Sequence, residues 1–147
     1  MIKLNFPDFK FIFKNKDNKP HIFDILRKKL ILLTPEEWVR QHVIKFLISH
    51  NISKNHIAVE KKIIINKMTK RFDLVIFDRN SDVLLLVECK APNIKINQKV
   101  FDQTLIYNRY LKSKYMMITN GLNHFYFKVN QKNKTYSFVK NFPLKWK

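Results

Sequence analysis

A single glycine, Gly121, serves all 147 residues of this chain. A phosphate-cradling loop of the G-x-x-x-x-G-K type needs at least two glycines, so an ATP-driven motor of that kind is excluded and no ATP is expected as cofactor. A lone cysteine, Cys89, rules out an internal disulfide and leaves no thiol cluster for zinc. Acidic residues are also scarce, 11 against 29 basic ones. No run of 18 uninterrupted apolar residues occurs, and the N-terminus MIKLNFPDFK lacks the apolar core of a secretion signal. The chain is therefore expected to be soluble and cytoplasmic, with no membrane partner. Five histidines, His21, His42, His50, His56 and His124, show no metal-ligand spacing and are read as surface or packing residues.

What is present is a foldable and strongly basic chain. Hydrophobic residues make up 46%, enough for one real core, so residues 1–147 are expected to form a single domain. The net charge of +18 points to a polyanionic partner, nucleic acid above all. Lys, Asn, Ile and Phe are all abundant, which an AT-rich genome produces without selection for binding. Arginine occurs only at 27, 40, 71, 79 and 109. The field therefore supports salt-sensitive phosphate affinity rather than base reading, for which arginine is the better donor.

The chain is organised around Arg71–Pro92, RFDLVIFDRNSDVLLLVECKAP. Two apolar strands, Arg71–Asp78 and Val83–Lys90, flank a polar tetrad. With Asn80-Ser81 as a two-residue turn, Asp73 falls opposite Glu88, their Cβ atoms roughly 5 Å apart. Lys90 projects from the same face as Glu88. Two carboxylates facing each other in an apolar sheet repel, and a divalent cation between them reverses that sign. Oxygen ligands suit Mg²⁺ or Mn²⁺ rather than zinc. An adjacent ammonium can orient water or stabilise charge on a phosphate. The constellation fits phosphodiester cleavage, although a short D…ExK pattern also occurs as salt-bridged edge residues.

Asp73 followed by Glu88-Cys89-Lys90 resembles the D…ExK signature of PD-(D/E)xK nucleases. RFDLVIFD and LLLVECKAP resemble the N-terminal nuclease domain of type I restriction enzyme R subunits, with Phe72 replacing the usual proline before the aspartate. The resemblance covers roughly Ile22 to Val139. It implies Asp73, Glu88 and Lys90 as catalytic residues. Mg²⁺ or Mn²⁺ is expected on Asp73, Glu88 and the Cys89 backbone carbonyl, with Glu36 contributing through water. In that family a first-helix glutamate, within an E-x-x-x-R-like run that fits Glu36 and Arg40, often joins the metal site. The plainer alternative for Glu36 and Glu37 is that both favour a helix N-terminus. Gln103 and Tyr107 look like the family's Q-x-x-x-Y motif, thirteen residues after Lys90, which frames the active site and approaches nucleic acid.

The remaining segments follow local rules. Residues 1–33 read as a β-rich flap, with extended patches at Phe9–Phe13 and Leu30–Leu33, a turn-like Lys14–Pro20 and a short strand at Ile22–Leu26. Disorder before Ile22 is the alternative. Thr34-Pro35-Glu36-Glu37 opens a helix to about Ser49 with a capping box, Glu36 along the buried face and Glu37 aside. His56–Asn66 is a strand turning at Lys67–Lys70, its Glu60 a solvated partner for Lys61 or Lys62. Asp78 and Asp82 form the turn. Asn97–Lys112 is a helix. Tyr115–Thr119, His124–Val129 and Thr135–Val139 are strands, the first two joined by an Asn120-Gly121 type I′ turn. Residues 140–147 form a loosely held basic tail.

The expected fold is an α/β (α+β) restriction-endonuclease-like mixed sheet flanked by helices, with N- and C-terminal β-extensions, the core spanning 34–139. The expected function is that of a Mg-dependent nuclease without a motor domain, acting on DNA either free-standing or with a separate protein partner for targeting. The alternative is a non-catalytic basic nucleic-acid-binding module. Removing Asp73 is expected to leave folding intact or to stabilise the metal-free chain by relieving its repulsion with Glu88.

Overall fold

The computed structural model describes residues 1–144. A six-stranded mixed sheet runs in sequence order: β4 (Ile57–Ile65), β5 (Met68–Phe77), β6 (Val83–Cys89), β7 (Tyr115–Thr119), β8 (His124–Asn130) and β9 (Thr135–Val139). Every neighbouring pair is antiparallel except β6 and β7, which are parallel and joined through helix α2 (Gln98–Leu111). Helix α1 (Pro35–Ser49) precedes the sheet, and β1 (Phe13–Lys16), β2 (Lys19–Asp24) and β3 (Lys29–Leu32) form a separate three-stranded sheet. No described helix is long and apolar enough to cross a membrane.

The central strands are apolar on both faces because each face carries a helix. Val39, Val43, Ile44 and Leu47 of α1 pack with Leu74, Ile76, Leu85 and Val87. Phe101 of α2 packs with Phe72, Val75, Leu86 and Phe127 on the opposite face. Thr34 caps α1 by accepting from the Glu37 N–H. The capping box is only half made, since the Thr34 N–H donates to the Leu32 carbonyl and the Glu37 carboxylate goes elsewhere. Asn97 caps α2, and left-handed Lys112 ends it.

Turn geometry departs from expectation in four places. Lys14–Pro20 is strand–turn–strand, with left-handed Asp17-Asn18 at the bend, while residues 9–12 lie outside the strands. The β4–β5 turn is Asn66-Lys67, both left-handed as a type I′ turn requires, and not Lys67–Lys70. The β5–β6 turn is not the two-residue Asn80-Ser81. The Asp78 N–H donates to Asp82, Ser81 is left-handed, and the register shifts after Ile76. That irregularity restores the anticipated pairing, so Leu74 still meets Val87. Asp78 holds the turn as expected, its carboxylate accepting from the Asn80 and Asp82 N–H groups.

The fourth departure is at β7–β8, a four-residue loop (120–123) between paired Thr119 and His124. The Asn120 carboxamide oxygen accepts from the N–H groups of Leu122 and Asn123. The segment after β9 is not loose as far as it is described. Leu144 is buried, and the Phe142 ring meets Phe46, His50 and Tyr126. The rest of the anticipated tail, 145–147, lies outside the described residues.

Gly121 has φ +86, and a Cβ there would stand 2.8 Å from Leu4 Cδ2 and 3.1 Å from Val39 Cγ2. Its carbonyl accepts from the Asn5 N–H, which ties the N-terminal segment to the sheet. Gly121→Ala therefore combines left-handed strain with overpacking and is expected to cost about 2 kcal/mol. A thermal melt checks this through a Tm lowered by about 5 °C or more.

Candidate active site

The site lies where two strands separate. Pairing between β5 and β6 ends at Leu74–Val87, although β5 continues along β4 as far as Met68. Asp73 and Glu88 therefore face one another across a gap, not within a ladder as the two-residue turn implied. The Asp73 side chain takes over the missing backbone role, its Oδ2 accepting from the Cys89 N–H at 2.8 Å. The N–H and C=O of one strand residue point to the same side. The Cys89 carbonyl thus faces the same gap as Asp73.

Side-chain alternation along β5 breaks at this point. Phe72 and Val75 belong to the α2-side cluster, Leu74 and Ile76 to the α1-side cluster. Asp73 lies between and turns toward α1, where Arg40 Nη2 donates to its Oδ1 at 2.6 Å. Opposite it on β4, Glu60 is left-handed with φ 54, and the ladder skips the Glu60–Asp73 pair. Glu60 bridges Arg27 at 3.2 Å and Arg71 at 3.7 Å, not its neighbours Lys61 or Lys62.

Charge around the gap is concentrated and partly buried. Arg40 pairs with Asp73, Glu37 and Glu36 together. Burial disfavours its charge, but the carboxylates of Asp73 and Glu37 outweigh that and raise its pKa above the ordinary range. Its buried Nε has no hydrogen-bond partner among the described residues. Glu88 is pushed up to about 8, by burial first and then by the negative charge of Asp73. Lys90 Nζ, at 3.7 Å from Glu88 Oε1, only partly offsets this. Burial and Asp73 also raise Glu36. Burial pushes the Cys89 thiol well up, so the thiol stays protonated and inert.

The two first-turn glutamates exchange the places anticipated for them. Glu37 is the buried one, held by Arg27, Arg40 and Gln41. Glu36 is exposed at the rim, within electrostatic reach of Asp73 and Lys90. On the α2 side a pocket of about 80 Å³ is lined by Lys70, Phe72, Glu88, Lys90, Gln103 and Tyr107, among others. Gln103 Nε2 donates to the Tyr107 hydroxyl at 3.3 Å, and Lys70 Nζ lies 5.1 Å from the Tyr107 ring centre. The Gln103 contact, with Lys70 beside it, lowers the Tyr107 pKa.

All of the anticipated residues, Glu36, Asp73, Glu88, Cys89, Lys90, Gln103 and Tyr107, thus converge on one gap and its adjoining pocket. Among the described residues, no three His, Cys, Asp or Glu side chains form a ready-made metal cage. Asp73 and Glu88 are the carboxylates available to a cation, with Glu36 at the rim. Sequence reasoning named Arg40 only as the partner of Glu36 in a helix run, and passed over the half-buried Arg27 and the pocket-lining Lys70 and Arg71. One signal was available. In a chain whose basic residues are nearly all lysine, an arginine marks a place where a planar fork of donors is needed.

This geometry reverses the expectation for Asp73. Its loss leaves Arg40 undercompensated and orphans the Cys89 N–H, so Asp73→Ala should destabilise by about 3 kcal/mol, read from chemical denaturation. Glu88→Gln should instead be neutral or stabilising near pH 8 without metal. The folded chain keeps the Glu88 proton up to about pH 8, whereas the unfolded chain releases it near the ordinary value of 4.5. Native protein binds the extra proton between those values, so wild-type stability should fall as pH rises across that window. Melting curves against pH in chelator should show the decline in wild type and a flatter profile in Glu88→Gln.

Comparison with known proteins follows the same lines. The profile of the family described as type I restriction enzyme R protein N terminus matches residues 35–143. A solved fragment of an HsdR subunit of a type I restriction enzyme from Vibrio vulnificus YJ016 superposes with a TM-score of 0.52 at 20% identity. The match covers 76% of this chain and 24% of that one, so this chain spans about a quarter of the length of that protein, and at this identity the likeness speaks for the fold. No curated protein sequence matches. With the profile spanning α1 through the end of the sheet, the chain belongs to the family of type I restriction enzyme R protein N termini.

Proposed function

We propose that the chain is a metal-dependent nuclease that hydrolyses phosphodiester bonds in DNA. The observation that carries this reading is the proton balance of the gap. Glu88 is held neutral to about pH 8 because it is buried beside Asp73 and Lys90 only partly offsets the two effects. A divalent cation at the gap would favour ionised Glu88. The donor set fits Mg²⁺ or Mn²⁺, which bind through one or two carboxylates, water and substrate phosphate rather than in an all-protein cage. Asp73, Glu88 and the Cys89 carbonyl would hold it, and Glu36 stands near enough to act through water.

Such a cation would supply positive charge to a phosphate that gains negative charge under attack. The remaining work falls to side chains of this chain. Lys90, beside Glu88, orients the attacking water and favours loss of its proton to solvent as the new P–O bond forms. One ester P–O bond breaks, and the leaving oxygen is protonated from solvent. Gln103 and Tyr107, tied to each other and to Lys70 at the pocket mouth, hold the strand in register with the gap. Arg40 fixes Asp73 and keeps one carboxylate oxygen aimed toward α1.

A second reading, a non-catalytic DNA-binding module of the same fold, is favoured by one feature. Both Asp73 oxygens already have partners, Arg40 and the Cys89 N–H. The discriminating experiment is cleavage of linear, nicked, branched and single-stranded DNA with Mg²⁺ or Mn²⁺, beside Lys90→Ala. The half-exposed Lys90 carries little of the core, so Lys90→Ala should keep the wild-type Tm within about 1 °C while losing cleavage by at least about a hundredfold. Salt-sensitive binding without cutting by wild type, on every substrate and metal, would select the second reading.

A further inference from the structure

Beyond Leu74 the sheet narrows to two strands. The β4–β5 ladder continues from Lys61–Phe72 to Ile65–Met68 with no β6 beside it. Six residues separate Leu74 from Met68, so this ribbon stands about 20 Å past the last β5–β6 pair. Its left-handed Asn66-Lys67 turn gives a tight two-residue end.

The ribbon is built against its own stability. Residues 61–72 contain Lys61, Lys62, Lys67, Lys70 and Arg71 and no carboxylate. Lys62 and Arg71 face each other directly across the ladder, an arrangement that repels. Glu60 reaches Arg71 only at 3.7 Å and is already shared with Arg27. Near the tip, Ile64 is 77% and Met68 59% exposed. Ile65 is buried and Ile63 packs on the α2-side cluster, which anchors one face of the ribbon, but the surplus charge still weakens an element of only two strands. Polyanion binding reverses that sign.

The cations lie on both faces. Lys62 and Arg71 pair across one face and Lys70 alternates to the other, while Lys70 and Arg71 both line the pocket with Glu88, Lys90 and Tyr107. Lys62 does not line that pocket, so one strand seated there would leave Lys62 without a phosphate. The major groove of duplex DNA, about 12 Å wide, admits a two-stranded β-ribbon with a phosphate backbone on either side. Apolar atoms at the tip, Ile64 and Met68, would then meet base edges.

We propose that the 61–72 ribbon is a duplex-DNA-binding arm that enters a groove. Lys62, Lys67 and Arg71 meet phosphates of one backbone, while the Lys70 face delivers the other strand to the pocket. The delivery step rests on the nuclease reading, whereas groove binding by the arm stands without it. Because the arm adjoins Asp73, arm binding sets the register between duplex and gap.

The test is binding of a labelled linear duplex to the full chain by fluorescence anisotropy over a salt series without divalent metal. Each phosphate contact contributes about 0.9 to the slope of log K against log salt, so Lys62→Ala/Lys67→Ala/Arg71→Ala should lower the slope by about 2–3. A control triple on the exposed flap, Lys14→Ala/Lys19→Ala/Lys29→Ala, should leave it unchanged, and Lys62→Arg/Lys67→Arg should retain it. An unchanged slope in the arm variant, or equal loss in both triples, overturns the arm. Equal loss of affinity for single-stranded DNA or RNA overturns the duplex assignment. Arm-dependent binding by a wild type that never cuts keeps the arm and removes the nuclease.

Discussion

The ion pair between Arg40 and Asp73 is the contact on which the rest of the site depends. It crosses from the first helix to the strand that carries the site, and its partners extend it in both directions. Arg40 also holds Glu37, Glu37 holds Arg27, and Arg27 holds Asp24 and Glu60. Asp24 itself is fully buried and accepts from Gln41 of the same helix. A continuous chain of charge thus runs from the three-stranded flap to the edge of the gap. Buried charges are tolerated only when each has partners, so no member can move alone. The flap, which carries none of the proposed chemistry, is electrostatically part of the frame around it.

The second organising fact is a loss of pairing. Where β5 and β6 separate, backbone groups lose their ladder partners, and the Asp73 side chain fills one vacancy at Cys89. The same separation frees β4 and β5 to continue as a basic ribbon. One geometric event therefore supplies both a gap lined by carboxylates and an arm lined by cations. Their opposite signs are complementary in purpose, since phosphate needs cations along its path and a concentrated site at the point of cleavage. Both are unfavourable in the isolated chain, because like charges are held close in each.

Much of this was legible along the chain. The two helices, the order of the main sheet and the convergence of Asp73, Glu88, Lys90, Gln103 and Tyr107 follow from apolar patterning, a Thr-Pro cap and family likeness over short spans. The register near Asp73 was anticipated for an incomplete reason, because the turn is longer than assumed and the shift after Ile76 compensates. Glu36 and Glu37 were misplaced because helical periodicity alone does not know where Arg27 and Arg40 lie. The partners of Glu60 were missed for a similar reason, since its left-handed backbone redirects it from Lys61 and Lys62 toward two arginines remote in sequence or position.

By itself, the sequence determined which groups are available. It carries few carboxylates, one tight D…ExK set, a surplus of lysine, and too little glycine for a phosphate-binding loop of the motor type. Those follow from composition and local period, which act over a few residues. Tertiary structure alone decided which carboxylate is neutral and which is paired, that β5 outruns β6, and that the flap anchors the site through Arg27. Each depends on burial and on contacts between distant segments. Desolvation, which lifts Glu88 to about 8, has no signature in local order because it is a property of what surrounds a side chain.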